Sequence, residues 1–239
     1  MFITYLIDTI RKRGRQKTLI AARMAELEQT ALLARMNPHF IFNCLNAIQA
    51  YIIDRDVHSA NEFISHVSRL VRRTLEISDS SSISLETEVD YISAYMELEK
   101  KRFSDRFSYA VRVGQGVPLL QYSIPPLILQ PYLENAILHG VCNRSDKEGH
   151  IEIRMEMEDD FLVCTIEDNG IGRKQAAQYK TALGERHRSL GMALTAKRID
   201  WLNATGQYPI SVNVVDREDL AGRPLGTRVV VCFPVLAEA

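Results

Sequence analysis

The chain has 239 residues, of which 46% are hydrophobic and 25% are charged, and its formal net charge at pH 7 is -1. This composition is ordinary for a globular protein and excludes a disordered or fibrous chain. The balanced charge argues against a dedicated nucleic-acid binder, which carries a strong basic excess. The four cysteines form no Cys-x-x-Cys pair, so the sequence predicts neither a zinc site nor a disulfide framework. The length allows one large domain or two modest ones, and we favour two.

The start of the chain combines an apolar run with a basic cluster. Residues 1–7 are largely apolar, and they are followed by Arg11, Lys12, Arg13, Arg15 and Lys17. So short a run cannot span a bilayer, which needs about 20 residues. A basic cluster after an apolar run is nevertheless typical of the cytoplasmic flank of a membrane helix. A frayed, solvated helix start is the alternative. On the first interpretation, the chain is a cytoplasmic module of a longer, membrane-anchored protein.

Two long amphipathic helices are predicted in the first third of the chain. Residues 18–53 contain no glycine and one proline, and their apolar residues recur at spacings of three and four. After a polar break at 54–56, a second apolar stripe runs from Ala60 to Leu75. Two such helices form an antiparallel hairpin that cannot bury both apolar faces by itself. We therefore expect a dimeric four-helix bundle.

The rest of the chain mixes strands with helices. A serine-rich break at 79–82 precedes a helix from Ser84 to about Phe103. Further helices are predicted at 127–141, entered through a Pro-Pro pair, and at 190–203, and residues 114–126 are predicted to be loop. Strands are predicted at 107–113, 151–157, 161–166, 210–215 and 227–233. This pattern predicts an α+β fold in which one mixed sheet is covered on one face by helices.

A histidine follows a proline inside the first predicted helix. Pro38 forfeits a backbone hydrogen bond, at a cost of about 3 kcal/mol, so a kink is expected just before His39. His39 and Asn43 are four residues apart and share a helix face. There an imidazole can act as a nucleophile and an amide can orient a water or a phosphoryl group. A histidine beside a phenylalanine is more often structural, and local reasoning leaves both interpretations open.

Polar residues interrupt the apolar helix predicted at 127–141. Glu134, Asn135 and His139 need partners in such surroundings. Asn135 and His139 share a face, and an asparagine oxygen can complete the shell of a Mg²⁺ ion that is held mainly by phosphates and water. A hydrogen-bonded core pair is the alternative.

The strand predicted at 161–166 runs into the sequence Glu167-Asp168-Asn169-Gly170-Ile171-Gly172. An ionised aspartate at a buried strand end only accepts hydrogen bonds, which suits the exocyclic amine of adenine. Gly170 and Gly172 remove side chains where a ligand must approach closely. Asp-Asn-Gly is also an ordinary turn sequence.

Residues 173–185 are polar and weakly patterned, as a mobile lid would be. Arg186, His187 and Arg188 follow and are placed to reach phosphates. The next helix opens at Ser189-Leu190-Gly191-Met192, where backbone N–H groups offer an anion site. Gly226-Thr227 precedes the last strand and places a small hydroxyl near a bound base. A helix cap and a hairpin turn are the alternatives.

Taken in order and spacing, these motifs resemble one family over residues 32–234. The motifs that carry the resemblance are Asn37-Pro38-His39-Phe40-Ile41-Phe42-Asn43, Leu129-Gln130-Pro131 leading to Glu134-Asn135-Ala136-Ile137 and His139-Gly140, Glu167-Asp168-Asn169-Gly170-Ile171-Gly172, and Gly226-Thr227. They resemble the bacterial sensor histidine kinases typified by LytS and YehU. In that family a His-kinase internal region precedes a Bergerat-type ATP-binding domain of the gyrase, Hsp90 and MutL class.

The resemblance implies two-component signalling. His39 would be phosphorylated from ATP and Mg²⁺, and the phosphoryl group would pass to an aspartate of a response regulator. Asn43 would assist. Glu134 is a candidate base for the proton of His39, and the alternatives are a structural role for Glu134 or a neutral imidazole that needs no strong base. In the ATP site Asn135 would hold Mg²⁺ and Asp168 would read adenine. Further candidate ATP-binding residues are His139, Gly170, Gly172, Arg188, Gly191 and Thr227.

The resemblance also implies a domain organisation. We expect a juxtamembrane, signal-transmitting helix at 1–30, a dimerisation and histidine phosphotransfer region at 31–104, and an ATP-binding catalytic domain at 105–239. We also expect a homodimer. Two departures stand out: Gly191 is the only glycine left of the pair usual before the lid helix, and Leu138 stands where the family often has lysine. They keep open a degenerate nucleotide-binding scaffold. An ATPase or serine kinase of the same superfamily, acting on a partner protein, is a further alternative.

Overall fold

The structure is a computed structural model, and it describes residues 38–104, 106–144, 148–176, 190–204 and 209–234. The side chains of Pro38, His39 and Leu190 fall outside this description. Several predictions lie outside the described residues: the apolar start, the helix at 1–30, the kink before His39, lid residues 177–185, and Arg186, His187 and Arg188. The chain divides into two compact units, Met1–Gln49 and Ala50–Ala239.

Three helices confirm the periodicity of the first part of the chain, as far as it is described. They are α1 (Pro38–Ile53), α2 (Val57–Ser78) and α3 (Leu85–Arg102). Helices α2 and α3 each start directly after a polar residue whose side chain caps a free backbone N–H group. Asp56 accepts a hydrogen bond from the N–H of Ser59 at 3.0 Å, and Ser84 accepts one from the N–H of Thr87 at 3.2 Å.

Helix α3 packs against both α2 and the strands that follow it. Its buried side chains are Leu85, Glu88, Tyr91, Ile92, Tyr95, Met96, Leu98 and Glu99. The N–H of Leu85 donates to the carbonyl of Tyr122 at 2.8 Å, which fixes the start of the helix against the segment that contains Tyr122. Helix α2 contributes a narrower stripe that includes Phe63, Leu70 and Thr74. So α3 lies at the centre of the packing within the unit Ala50–Ala239.

Five strands form one mixed sheet, in the order β2-β4-β5-β7-β6. They are β2 (Phe107–Val113), β4 (Gly149–Glu158), β5 (Phe161–Asp168), β6 (Ser211–Glu218) and β7 (Pro224–Pro234). Strands β2 and β4 are parallel, and the other pairs are antiparallel. A separate small pair joins β1 (Ile83–Ser84) to β3 (Ser123–Ile124). The prediction of loop throughout 114–126 is therefore wrong at β3, where two residues are too few to show alternation.

One face of the sheet is apolar and buried, and the other is charged. On β4, Ile151, Ile153 and Met155 are fully buried, whereas the alternate positions carry charges. Among these, Arg154 pairs with Glu152 at 2.9 Å. The helical segment 136–143 contacts the sheet at β4, β5 and β7. The predicted α+β fold with a mixed sheet and helices is confirmed.

The helix predicted at 127–141 is shorter and changes type along its length. Helix α4 is Gln130–Asn135, and it continues as a π-helix, Ala136–Gly140, and a 3-10 turn, Val141–Asn143. The predicted entry through Pro125 and Pro126 is wrong, because Leu127 has a φ of 61° and breaks any helix there. Pro131 lies in the first turn of α4 instead, where its missing N–H has no partner to lose.

The last described helix is α5 (Leu190–Ala204), as predicted. Among the helices that the structure describes, none is long and apolar enough to cross a membrane.

Candidate functional site

Asp168 is the last residue of β5, and its carboxylate is buried, with the residue only 4% exposed. Its Oδ1 accepts a hydrogen bond from the N–H of Gly170 at 2.8 Å. Burial raises the pKa of Asp168 to about 6, against opposing contributions from the N–H groups of Gly170 and Thr227 and the charge of Arg217. At neutral pH the side chain is therefore mainly an ionised, buried hydrogen-bond acceptor.

Glycines allow the backbone to close around Asp168. A Cβ on Gly226, where φ is 118°, would lie 1.9 Å from the carbonyl oxygen of Asp168. A Cβ on Gly140 would lie 2.9 Å from Asp168 Oδ1, and one on Gly170 would lie 2.3 Å from Gly140 Cα. The need for glycine at position 170 thus comes from its packing against Gly140. Gly172, at a φ of 77°, does line the cavity beside Asp168.

A cavity of about 310 Å³ opens beside Asp168. Helix α4, the π-helix and strands β5, β6 and β7 all contribute to its walls. Its apolar lining comes from Tyr132, Ala136, Ile166, Met192, Val214 and Val229, and its polar lining from Asn135, His139, Asp168, Arg173 and Thr227. A largely apolar cavity of this size with a few polar groups is typical of a small-molecule site.

Asn135 and His139 line the same cavity, as their spacing predicts. Asn135 ends α4, and His139 lies in the π-helix that follows it. The N–H of Val141 bonds to the carbonyl of Ala136, five residues back, which widens this turn. Such π segments are rare and often occur at functional sites. Glu134 does not line the cavity, and its Oε1 accepts a hydrogen bond from Gln130 Nε2 at 3.1 Å.

Of the other predicted site residues, one lines the cavity, and the rest do not line it or lie outside the described residues. Thr227 lines the cavity, whereas Gly191 is exposed on the first turn of α5, and its neighbour Met192 lines the cavity instead. Asn43 is half-buried on α1, in the other compact unit. Arg188 and the side chain of His39 lie outside the described residues.

Two arginines that the sequence did not single out support the loop after β5. Arg217 donates to the carbonyl of Asp168 at 3.3 Å and pairs with Glu167 at 3.0 Å. Arg144 donates to the carbonyls of Asn169 and Gly170. No local sequence pattern distinguishes these arginines. Arg217, for example, reaches this loop through the register of β6 against β7.

The start of the predicted lid is fixed to β6. Residues 173–176 form a helical turn. Arg173 makes a two-point hydrogen bond with Asp216, at 2.7 and 2.9 Å, and Lys174 pairs with Glu218 at 2.8 Å. In the part of the predicted lid that is described, the chain is therefore regular and anchored.

Comparison with known proteins identifies the family. Residues 27–107 match the family described as histidine kinase. The sensor histidine kinase BtsS of Escherichia coli is 34% identical over 178 residues, which is 74% of this chain and 29% of BtsS. The chain belongs to the histidine kinase family. Sensor protein LytS of Staphylococcus epidermidis is 33% identical over 149 residues, or 62% of this chain and 24% of LytS.

The chain spans less than a third of the length of these curated relatives. Among solved structures, the histidine kinase domain of the blue-light activated kinase from Erythrobacter litoralis superposes with a TM-score of 0.47 at 16% identity. That superposition covers 88% of this chain and 96% of the other. The family assignment rests on the sequence matches.

Proposed function

We propose that this chain is the kinase core of a LytS-type sensor, which phosphorylates itself on His39 from ATP and Mg²⁺. The phosphoryl group then passes to an aspartate of a response regulator. The observation that carries the proposal is the cavity in which the buried carboxylate of Asp168 lies with Asn135 and His139.

The cavity suits an adenine base. Its apolar side chains, such as Ile166, Val214 and Val229, match the flat faces of the ring. Asp168 has a pKa of about 6, so at neutral pH its carboxylate accepts a hydrogen bond from the exocyclic amine. Thr227 supplies a hydroxyl on the same wall. A guanine base has a carbonyl oxygen in place of that amine. Its partial negative charge would be repelled by the carboxylate of Asp168.

Asn135 is the residue proposed to hold Mg²⁺. An amide oxygen suits this ion, which takes most of its ligands from phosphates and water. Within the described residues, no cluster of three or more His, Cys, Asp or Glu side chains offers a metal site of its own. Mg²⁺ would thus arrive with ATP and neutralise phosphate charge. His139, Arg188 and Gly191 are proposed to contact the phosphates.

In the proposed transfer, a neutral ring nitrogen of His39 attacks the γ-phosphorus of ATP. The bond from that phosphorus to the bridging oxygen breaks and ADP leaves, while the imidazole proton passes to a base. Glu134 is proposed as that base. Asn43, four residues beyond His39 on α1, is proposed to orient the phosphoryl group.

The proposed kinase is a homodimer. Around the turn between α1 and α2, Ile52, Ile53 and Val57 are 62%, 71% and 67% exposed, and such large apolar side chains would be covered by a second copy. The proposed organisation keeps the signalling helix at 1–30, the dimerisation region at 31–104 and the catalytic domain at 105–239. Anchoring to a bacterial membrane through the apolar start, or a segment before it, is part of the same proposal.

Incubation with ATP radiolabelled at its γ-phosphate and with Mg²⁺ tests the proposal. The protein should gain label that is acid-labile and alkali-stable, as phosphohistidine is, and His39→Gln should lose it. His58→Gln and His66→Gln are matched controls on α2 and should keep it. Asp168→Asn and Asn135→Ala should lose the label while the dimer persists in light scattering.

Two results would contradict the proposal. Label that stays in His39→Gln would move the phosphoacceptor to another residue. Binding of a fluorescent ATP analogue without any label would instead favour a degenerate, nucleotide-binding scaffold.

A further inference from the structure

A series of hydrogen bonds, buried at Thr74 and part-buried at Gln130, connects α2 through α3 to α4. Thr74 Oγ1 lies 2.8 Å from the carbonyl of Leu70 and 3.3 Å from Tyr91 Oη. Tyr91 Oη lies 3.2 Å from Gln130 Oε1, and Gln130 Nε2 lies 3.1 Å from Glu134 Oε1. This series of hydrogen bonds ends at Glu134. The next residue, Asn135, lines the cavity.

Chemistry fixes the direction of each bond in this series. An ionised Glu134 only accepts, so the amide nitrogen of Gln130 must face it and the amide oxygen must face Tyr91. Because that oxygen also only accepts, the hydroxyl of Tyr91 must donate its single proton to Gln130. The phenol oxygen can then only accept. Thr74 Oγ1 lies 3.3 Å from it, and the single proton of that hydroxyl is shared with the nearer carbonyl of Leu70 at 2.8 Å. The amide of Gln130 is therefore held at both ends, by Glu134 at its nitrogen and by Tyr91 at its oxygen.

Burial keeps Tyr91 in its donating form. Tyr91 is 2% exposed and Thr74 is 7% exposed. Burial raises the pKa of Tyr91, and the nearby charges of Glu88 and Glu134 raise it further, so the phenol stays protonated. The bond from Tyr91 to Gln130 is part-buried, and its donor lies in the core, so it restricts the geometry of the Gln130 amide.

We propose that Tyr91 is a positioning residue for Glu134, which it holds through Gln130 in the geometry that proton transfer needs. On α2, Thr74 is the polar side chain in contact with Tyr91. The inference rests on the proposed function, in which Glu134 takes the proton of His39. It adds a physical connection between the pocket helix α4 and α2, within the compact unit Ala50–Ala239.

Tyr91→Phe tests the proposal because it removes one hydroxyl and keeps the buried ring. The initial rate of His39 labelling should fall about 3- to 10-fold, the worth of one hydrogen bond, with the KM for ATP little changed. Tyr109→Phe is the matched control, since it breaks the hydrogen bond from Tyr109 Oη to Glu97 Oε2 at 3.2 Å on the same helix α3. It should label at the unmutated rate.

A double-mutant cycle separates positioning from a general loss of structure. If Tyr91 acts through Glu134, Tyr91→Phe should cause no further loss of rate in a Glu134→Gln background. Additive losses would overturn the proposal, as would an unchanged rate in Tyr91→Phe or in Glu134→Gln.

Failure of the proposed function is distinguishable, because the unmutated chain would then carry no label on His39. In that case amide hydrogen exchange still tests this series of hydrogen bonds. Tyr91→Phe, but not Tyr109→Phe, should speed exchange in residues 130–135. Equal exchange in the two variants would overturn the proposal.

Discussion

Glu88→Gln is expected to stabilise the fold at neutral pH, by an amount that grows with pH. Glu88 lies on α3 with 0% of its surface exposed, and neither carboxylate oxygen has a hydrogen-bond partner among the described residues. Burial raises its pKa from 4.5 to about 7. The N–H of Leu127 and the charge of Arg198 oppose this rise, although neither reaches the carboxylate with hydrogen-bonding geometry.

The sign follows from which state holds the proton. Below pH 4.5 both states are protonated at Glu88, and between 4.5 and about 7 the unfolded chain releases a proton that the folded protein retains. The free energy of unfolding therefore falls as pH rises through this window and levels off above it. At about 1.4 kcal/mol for each pH unit, the loss from this group is about 3 kcal/mol.

Urea unfolding of both proteins across this pH window measures the effect. The difference in free energy of unfolding, variant minus unmutated chain, should rise by about 3 kcal/mol between pH 4.5 and pH 8. Asp168, whose pKa is also raised, titrates in both proteins and cancels in the difference. A buried glutamine amide has its own cost, but that cost does not change with pH. A difference that stays flat would refute the reasoning.

Three further predictions concern the cavity. Asp168→Asn should weaken binding of a fluorescent ATP analogue at least about tenfold, because an amide has one accepting oxygen, which cannot serve both the N–H of Gly170 and the amine of adenine. In the unmutated chain, affinity measured in the same way should fall as pH drops through about 6, where Asp168 takes up a proton. Gly226→Ala should unfold in thermal melts well below Gly222→Ala, since only the first places a Cβ against the Asp168 carbonyl. Equal melting temperatures would contradict that account.

Regular elements were predictable from the sequence because each follows one periodicity. The alternation of β4 and the apolar stripe of α2 both match their burial. The structure of the segment after Pro126 was not predictable, because a positive φ at Leu127 and a π-helical turn at 136–140 interrupt the α-helical periodicity there. The π-helical turn contacts β5 and β7, and such long-range packing is not visible in any local pattern.

The cavity was predictable only in part. The polar motifs indicated Asp168, Asn135, His139 and Thr227 in the sequence, but its apolar wall comes from strands and helices far apart in the chain. Arg217 reaches the site because its register places it opposite Gly226 on β7. The position of Arg217 is set by the pairing of β6 with β7, and the spacing of nearby residues in the sequence does not predict it.

The glycines of the site have structural roles that the sequence motif alone does not reveal. The sequence predicts that Gly170 allows a ligand to approach closely, whereas in the structure it packs on the backbone of Gly140. Gly226 packs on the backbone of Asp168. Close backbone helps to keep this buried carboxylate ionised, because the N–H groups of Gly170 and Thr227 lower the pKa of Asp168, as does the charge of Arg217. Substitution of either glycine would therefore abolish nucleotide binding by raising the pKa of Asp168 or displacing it, without removing any atom that touches the base.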